Sequence, residues 1–163
     1  MFPMIEVLAP RPFDGLAGPK LFLAGSIDNG QAELWQARVA EELADLEVVI
    51  LNPRRERWEP GWAQSLENPS FVEQVLWELR GLEEADVILM YFAPGSKAPI
   101  SLLELGLFGR SGKMHVVCPE GFWRKGNVDV VCERYAIPRY ASLAEGLRAV
   151  RGALLRGCGD STR

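Results

Sequence analysis

The sequence predicts an α/β domain, a doubly wound parallel sheet of about five strands in one unit. Two observations lead there. Short apolar runs recur along the 163 residues: LFLA at 21–24, VVIL at 48–51, DVILMYF at 86–92 and HVVC at 115–118. Strands buried on both faces read as such continuous runs. Between them lie stretches with helical spacing of apolar residues, and that alternation is the pattern of a parallel sheet covered by helices on both sides. The length allows a single domain with a real core, and 48% hydrophobic with 25% charged residues is ordinary globular composition.

Taken in order, residues 1–20 hold Pro3, Pro10, Pro12 and Pro19 and read as an irregular leader with room for a short strand. The first strand, Leu21–Ala24, breaks at the turn-rich GSIDNG. A helix is expected from about Gln31, with Trp35, Val39, Leu43 and Leu46 on its apolar side. Val48–Leu51 is the second strand. The polar, proline-bearing segment Asn52–Pro69 is long for a structureless loop, and such loops are usually functional. A helix over Ser70–Glu84 places Val72, Val75, Leu79 and Leu82 on one face. Asp86–Phe92 is the third strand, and APISLLELGLF begins the next helix. His115–Cys118, a short helix near Val128–Arg134, a weak strand at Arg139–Tyr140 and a helix over Leu143–Leu155 complete the domain at 21–156. Residues 157–163 read as a tail. Right-handed crossovers leave few topologies, and at this length a flavodoxin-like strand order is expected.

Several functions are disfavoured. A net charge of -4 argues against a nucleic-acid polymer as partner. Three scattered cysteines and one histidine give no disulfide framework and no zinc spacing, so no metal is expected. No apolar stretch approaches membrane-spanning length and no secretory signal opens the chain, so the expected location is cytoplasmic, with no membrane partner. Neither GxGxxG nor GxxxxGK[ST] occurs, and no cofactor is expected. His115, Cys118 and Cys132 read as packing residues, as do Trp35, Trp77 and Trp123.

In an open α/β sheet, ligands bind outside the carboxyl ends of the strands. The loops there carry Gly25, Ser26, Ile27 and Asp28 after the first strand, and Asn52, Trp58 and Trp62 after the second. Ala98, Ser101 and Glu104 follow the third, and Asn127 the fourth. Polar and aromatic residues on one edge suit a small ligand with a flat ring and a polyhydroxyl part. Glu104 is the one charge in APISLLELGLF. It either completes a capping box with Ser101, in the pattern S-x-x-E, or is a catalytic carboxylate. Glu78 borders the apolar side of its helix, where a solvated glutamate is the plain alternative. Gly25 fits a tight turn as well as a ligand loop. The tryptophans at 58 and 62 suit either packing or stacking on a base.

Four segments, FLAGSIDNG, LNPRRERW, FVEQVLWELRGLEEADVILMYF and APISLLELGLF, with PEGFWRKGN more loosely, together resemble the nucleoside 2-deoxyribosyltransferase family, whose superfamily includes the deoxynucleoside monophosphate N-glycosidases. The resemblance covers roughly Leu21 to Pro138. It implies a flavodoxin-like fold and cleavage of an N-glycosidic bond. It implies that Glu104, in E-L-G, is the nucleophile, and that Glu78, eight residues before Asp86, is the acid. It makes Gly25, Ser26 and Ile27 the sugar loop, and Asn127 a residue shared across a subunit contact in a homo-oligomer. Three departures stand out. Phe22 replaces a tyrosine that orients the nucleophile in transferases. Asp28 and Ala98 stand where the monophosphate hydrolases have phosphate-binding arginine and serine.

A glycosidic cleavage needs one carboxylate to trap the oxocarbenium-like carbon and a second group to protonate the leaving base. The expected reaction is therefore deoxyribosyl transfer from a nucleoside to a free nucleobase through a glutamyl–sugar ester. The alternatives are an N-glycoside hydrolase of a nucleoside or its 5′-monophosphate, and a non-catalytic nucleotide-sensing module.

Overall fold

The structure, a computed structural model, describes residues 2–27, 34–55, 59 and 61–159, the last two without their side chains. Asp28 and Trp58, the expected helix start at Gln31 and most of the tail lie outside the described residues. Among the described residues six strands form one all-parallel sheet: β1 (Ile5–Leu8), β2 (Lys20–Gly25), β3 (Val49–Asn52), β4 (Val87–Tyr91), β5 (Met114–Val117) and β6 (Arg139–Tyr140). Their order is β1-β3-β2-β4-β5-β6. Leaving out β1, this is the flavodoxin-like order 2-1-3-4-5. The sheet has six strands rather than about five because the proline-bearing leader contributes β1, which pairs with β3 from Ile5 opposite Val49 to Leu8 opposite Asn52.

Each strand alternates its side chains between two cores. Phe22, Ala24, Leu51, Ile88 and Met90 face one side, under α2 (Pro69–Glu84), α3 (Pro99–Phe108) and α4 (Lys125–Arg134). Leu21, Leu23, Ile50 and Leu89 face the other, under α1 (Trp35–Glu42) and α5 (Leu143–Gly159). Each fully buried Leu, Ile or Phe side chain contributes roughly 1.5–3 kcal/mol of transfer free energy. α5 continues past Leu155 into what reads in the sequence as tail.

Two helices differ from the sequence expectation in ways that matter. On α2 the buried residues are Gln74, Trp77, Gly81 and Leu82, not the stripe through Val72, Val75 and Leu79. Trp77 fixes the rotation: it packs against Phe13 and Phe22, and its Nε1 donates to the Arg11 carbonyl at 2.8 Å. The first turn of α2 is capped by Asn68, whose side chain accepts from the amides of Ser70 and Phe71, with Pro69 at the first helical position. On α3 the capping box does not form. Pro99, which has no amide proton to satisfy, opens the helix two residues before Ser101, so the N-cap is Ala98 in the left-handed region at φ 44°. Ser101 and Glu104 are both interior helix residues, buried on the same face as Leu105.

Candidate active site

The carboxyl ends of β3, β2 and β4 lie side by side, with β2 between the other two. α2 and α3 each bring one carboxylate to that region. Glu104 is only 8% exposed. Glu78 is half-buried, next to buried Trp77. α2 reaches this depth because residue 81 is glycine: a Cβ there would sit 2.8 Å from the Phe22 ring, inside any real contact distance. Phe22, fully buried in the middle of β2, is therefore the floor on which α2 rests.

Burial dominates the electrostatics. It pushes the Glu78 carboxyl up to about 7, while the hydrogen bond from Gln74 pulls it back. It pushes Glu104 up to about 8, and the nearby charge of Glu78 adds to the rise. Among the described residues neither carboxylate has an ion-pair partner. Burial and the neighbouring Glu78 charge thus both disfavour an ionised Glu104.

The segment that follows β2 is a brace. Gly25 has φ 141°, and a Cβ there would lie 2.2 Å from the Tyr91 carbonyl oxygen, so only glycine lets β2 and β4 meet this closely. Ser26 is completely buried. Its amide donates to Tyr91 O at 2.9 Å and its carbonyl accepts from Trp35 Nε1 at 3.0 Å. Its hydroxyl accepts from the Ala93 amide at 3.0 Å and lies 2.6 Å from the Ser96 hydroxyl. Ser96 Oγ spends its proton on the Ala93 carbonyl, so Ser26 is the donor between the two serines. This network fixes the β4–α3 loop from which the Glu104 helix springs. Half-buried Ile27 follows it.

A family model described as "Nucleoside 2-deoxyribosyltransferase like" matches residues 18–122, more than half of the chain. The chain belongs to this family. The matched region contains both carboxylates and the strand ends that hold them. No curated protein matches the sequence.

In this nucleoside 2-deoxyribosyltransferase-like chain the remaining expected residues divide into two groups. Asn52 closes β3 and is buried; its Nδ2 donates to Glu6 Oε1 at 2.8 Å and its Oδ1 accepts from the Arg54 amide at 3.0 Å. Ala98 and Ser101 are buried at the start of α3. Trp62 is half-buried with the Arg55 guanidinium 4.8 Å over its ring. Asn127 is exposed in the first turn of α4, which follows β5. Trp123, expected to pack, is 53% exposed and donates from Nε1 to the Lys97 carbonyl.

Sequence reasoning missed Gln74, Ser96 and Gln36; it named Arg54 only as a residue that, like Lys97, could make up for the absent phosphate contacts. Gln74 Nε2 donates both to Glu78 Oε1 at 2.8 Å and to the Pro53 carbonyl at 2.9 Å, linking the candidate acid to the end of β3. Its position four residues before Glu78, one helical turn away, was the available signal. Two surface hollows beside α4, one bounded by Glu133 and Arg134 and the other by Cys118 and Tyr140, contain neither carboxylate. Among the described residues no cluster of three His, Cys, Asp or Glu could hold a metal ion. No helix among them is long and apolar enough to cross a membrane. Cys118 and Cys132 are buried thiols pushed up to about 11, and His115 Nδ1 is bonded to Tyr140 Oη at 2.9 Å.

Proposed function

We propose that this protein transfers a 2-deoxyribosyl group between nucleobases, with Glu104 as nucleophile and Glu78 as general acid. The observation that carries this reading is a pair of carboxylates, Glu104 buried and Glu78 half-buried, with no ion-pair partner among the described residues, held at the strand ends of a chain of this family. A Glu104 carboxylate oxygen forms a bond to C1′ as the C1′–N bond breaks, and its electron pair leaves with the base. Glu78 supplies the proton to that base; a nitrogen of a second base then attacks C1′, the C1′–O bond breaks to release the Glu104 carboxylate, and that nitrogen's proton passes to Glu78. Two carboxyls that both hold a proton more readily than usual suit this chemistry. A base nitrogen that accepts from Glu78 holds the proton there, which removes the charge facing Glu104 and leaves the nucleophile ionised. Ala98 offers no hydroxyl for a phosphate, which favours an unphosphorylated nucleoside.

The protein works in the cytoplasm as a homo-oligomer. Ile100, Leu103 and Leu107 form an exposed apolar stripe on α3 beside Glu104, which is one helical turn from Ile100 and from Leu107. A second copy packed on this stripe would bring two active sites close together. Sedimentation should show an oligomer that Leu103→Asp converts to monomer; a wild-type monomer rejects the idea. For the reaction itself, a deoxynucleoside is incubated with and without a different free base. New nucleoside together with a deoxyribosyl adduct on Glu104 supports transfer. Sugar release regardless of acceptor means hydrolysis, and ligand binding without turnover means a sensing module.

A further inference from the structure

Gln36 and Arg54 hold buried hydrogen-bonding capacity that nothing among the described residues uses. Gln36 lies on the inner face of α1 and is 1% exposed. Its Oε1 accepts from Arg54 Nε at 2.9 Å. Arginine can only donate, so this bond fixes the amide with Nε2 as the remaining donor. Among the described residues Gln36 Nε2 and Arg54 Nη2 are both buried without a partner. They belong to the two partners of one hydrogen bond, so they are neighbours. The Arg54 main chain is anchored in turn, its amide donating to Asn52 Oδ1. Among the described residues no carboxylate pairs with this guanidinium, whose burial holds its pKa below the usual arginine value. Unmet buried donors on a cation are costly unless a ligand fills them.

Two adjacent donors and one positive charge fit an oxygen that carries negative charge. A substrate could supply it as a carbonyl on the base or as a 5′-phosphoryl group. Position favours the base. The contacts run from Glu78 through Gln74 to the Pro53 carbonyl, and Arg54 is the next residue. A flat base protonated at Glu78 would extend along this path toward Arg54. We infer that the Gln36–Arg54 pair recognises a carbonyl oxygen of the nucleobase and selects oxo bases over their amino counterparts. The inference rests on the transfer reading above. When the C1′–N electron pair moves into an oxo base, part of the charge settles on that oxygen, where Arg54 opposes it while Glu78 delivers the proton to a ring nitrogen.

Deoxyinosine and deoxyadenosine differ at this oxygen, where one has a carbonyl and the other an amino group. With one common acceptor base, the wild type should favour deoxyinosine in kcat/KM by at least about 10-fold. Arg54→Met should erase the preference. So should Gln36→Glu, which keeps the acceptor for Arg54 but neutralises it and removes the second donor. Circular dichroism establishes that each variant is folded. Calorimetry of the wild type with free hypoxanthine and adenine reads the same discrimination without turnover. A ratio unmoved in a folded variant, or equal affinity of the wild type for the two bases, overturns the inference and leaves the transfer reading standing. Loss in Arg54→Met of a preference for 5′-monophosphates, with the base ratio unchanged, assigns the site to phosphate and also overturns it. A wild type that neither turns over a deoxynucleoside nor binds either base sinks both.

Discussion

The carboxylates on the rim of the molecule and those at the strand ends are treated oppositely by the fold. On the rim, Asp14 meets Arg80 at 2.5 Å, Asp45 is paired with Arg151, and Asp129 meets Lys125 at 3.0 Å and Arg139 at 3.4 Å. Hydrogen bonds from their arginines hold Asp14 and Asp45 below the usual carboxylate range. Such exposed pairs contribute little stability, because water competes for both partners. At the strand ends buried Glu104 and half-buried Glu78 have no ion-pair partner among the described residues, and burial drives both the other way. Among the described residues, partners are supplied freely where they matter little and not where the cost is greatest. This is the pattern of groups kept for proton and bond chemistry rather than for stability.

The contrast can be broken most severely at Glu104. Glu104→Gln should lower kcat by more than about 10⁴-fold, since no ester can form. The same variant should be more stable than the wild type at pH 7, by on the order of 3 kcal/mol. The direction follows from proton binding. Glu78 and Glu104 hold protons more tightly folded than unfolded, so their stabilisation is complete below about pH 4.5 and fades as pH rises through 7 and 8. Denaturant titrations across that range should show a slope that Glu104→Gln reduces, and turnover assays should find Asp45→Asn fully active. A variant less stable than the wild type at pH 7 would mean that the buried carboxylate is not a burden.

Next in size, Glu78→Gln should cost about 10²–10⁴-fold with a poor leaving base. The wild-type rate should fall on the acid side as Glu104 becomes protonated and on the alkaline side as the last proton leaves the pair. Glu78→Gln should lose the alkaline limb and recover most of its rate with a substrate whose leaving group needs no proton. A rate deficit that such a substrate does not relieve argues against Glu78 as acid. The smallest effect is expected at Gly81. Gly81→Ala should destabilise by about 1–2 kcal/mol despite better helix propensity, because the new Cβ meets the Phe22 ring. Phe22→Leu should rescue it in a double-mutant cycle, and additive effects would show that the contact is not what seats α2.

Much of this was legible in the sequence, for identifiable reasons. Strands buried on both faces leave an unmistakable apolar run, so β2 to β5 read directly, and strand-end loops follow from them. Glu104 stood out as a charge in an apolar helix. β1 was obscured by the prolines around it, although Ile5–Leu8 lies between them as a parallel edge strand. The rotation of α2 could not be read from its aliphatic residues, because Trp77 reaches across to Phe13 and Phe22, far apart in sequence. The hydrogen bonds that support Glu78 join residues 53 and 74, and those that set the α3 loop join 26 and 96. Polar partners so distant leave no periodic trace.

The span of the family match and the span of the folding unit are different. A fragment trimmed to 18–122 would keep both carboxylates but lose β1, β6, α4 and α5. β3 would become a bare sheet edge, and Asn52 would lose the carboxylate that steadies its amide. Leu89 and Val117 would be left facing water where α5, with Leu147, Val150 and Leu154, now covers β4 and β5. Such a fragment should be sticky rather than minimal: the shared chemistry occupies the middle of the chain, and what keeps it dissolved and upright is contributed by both flanks.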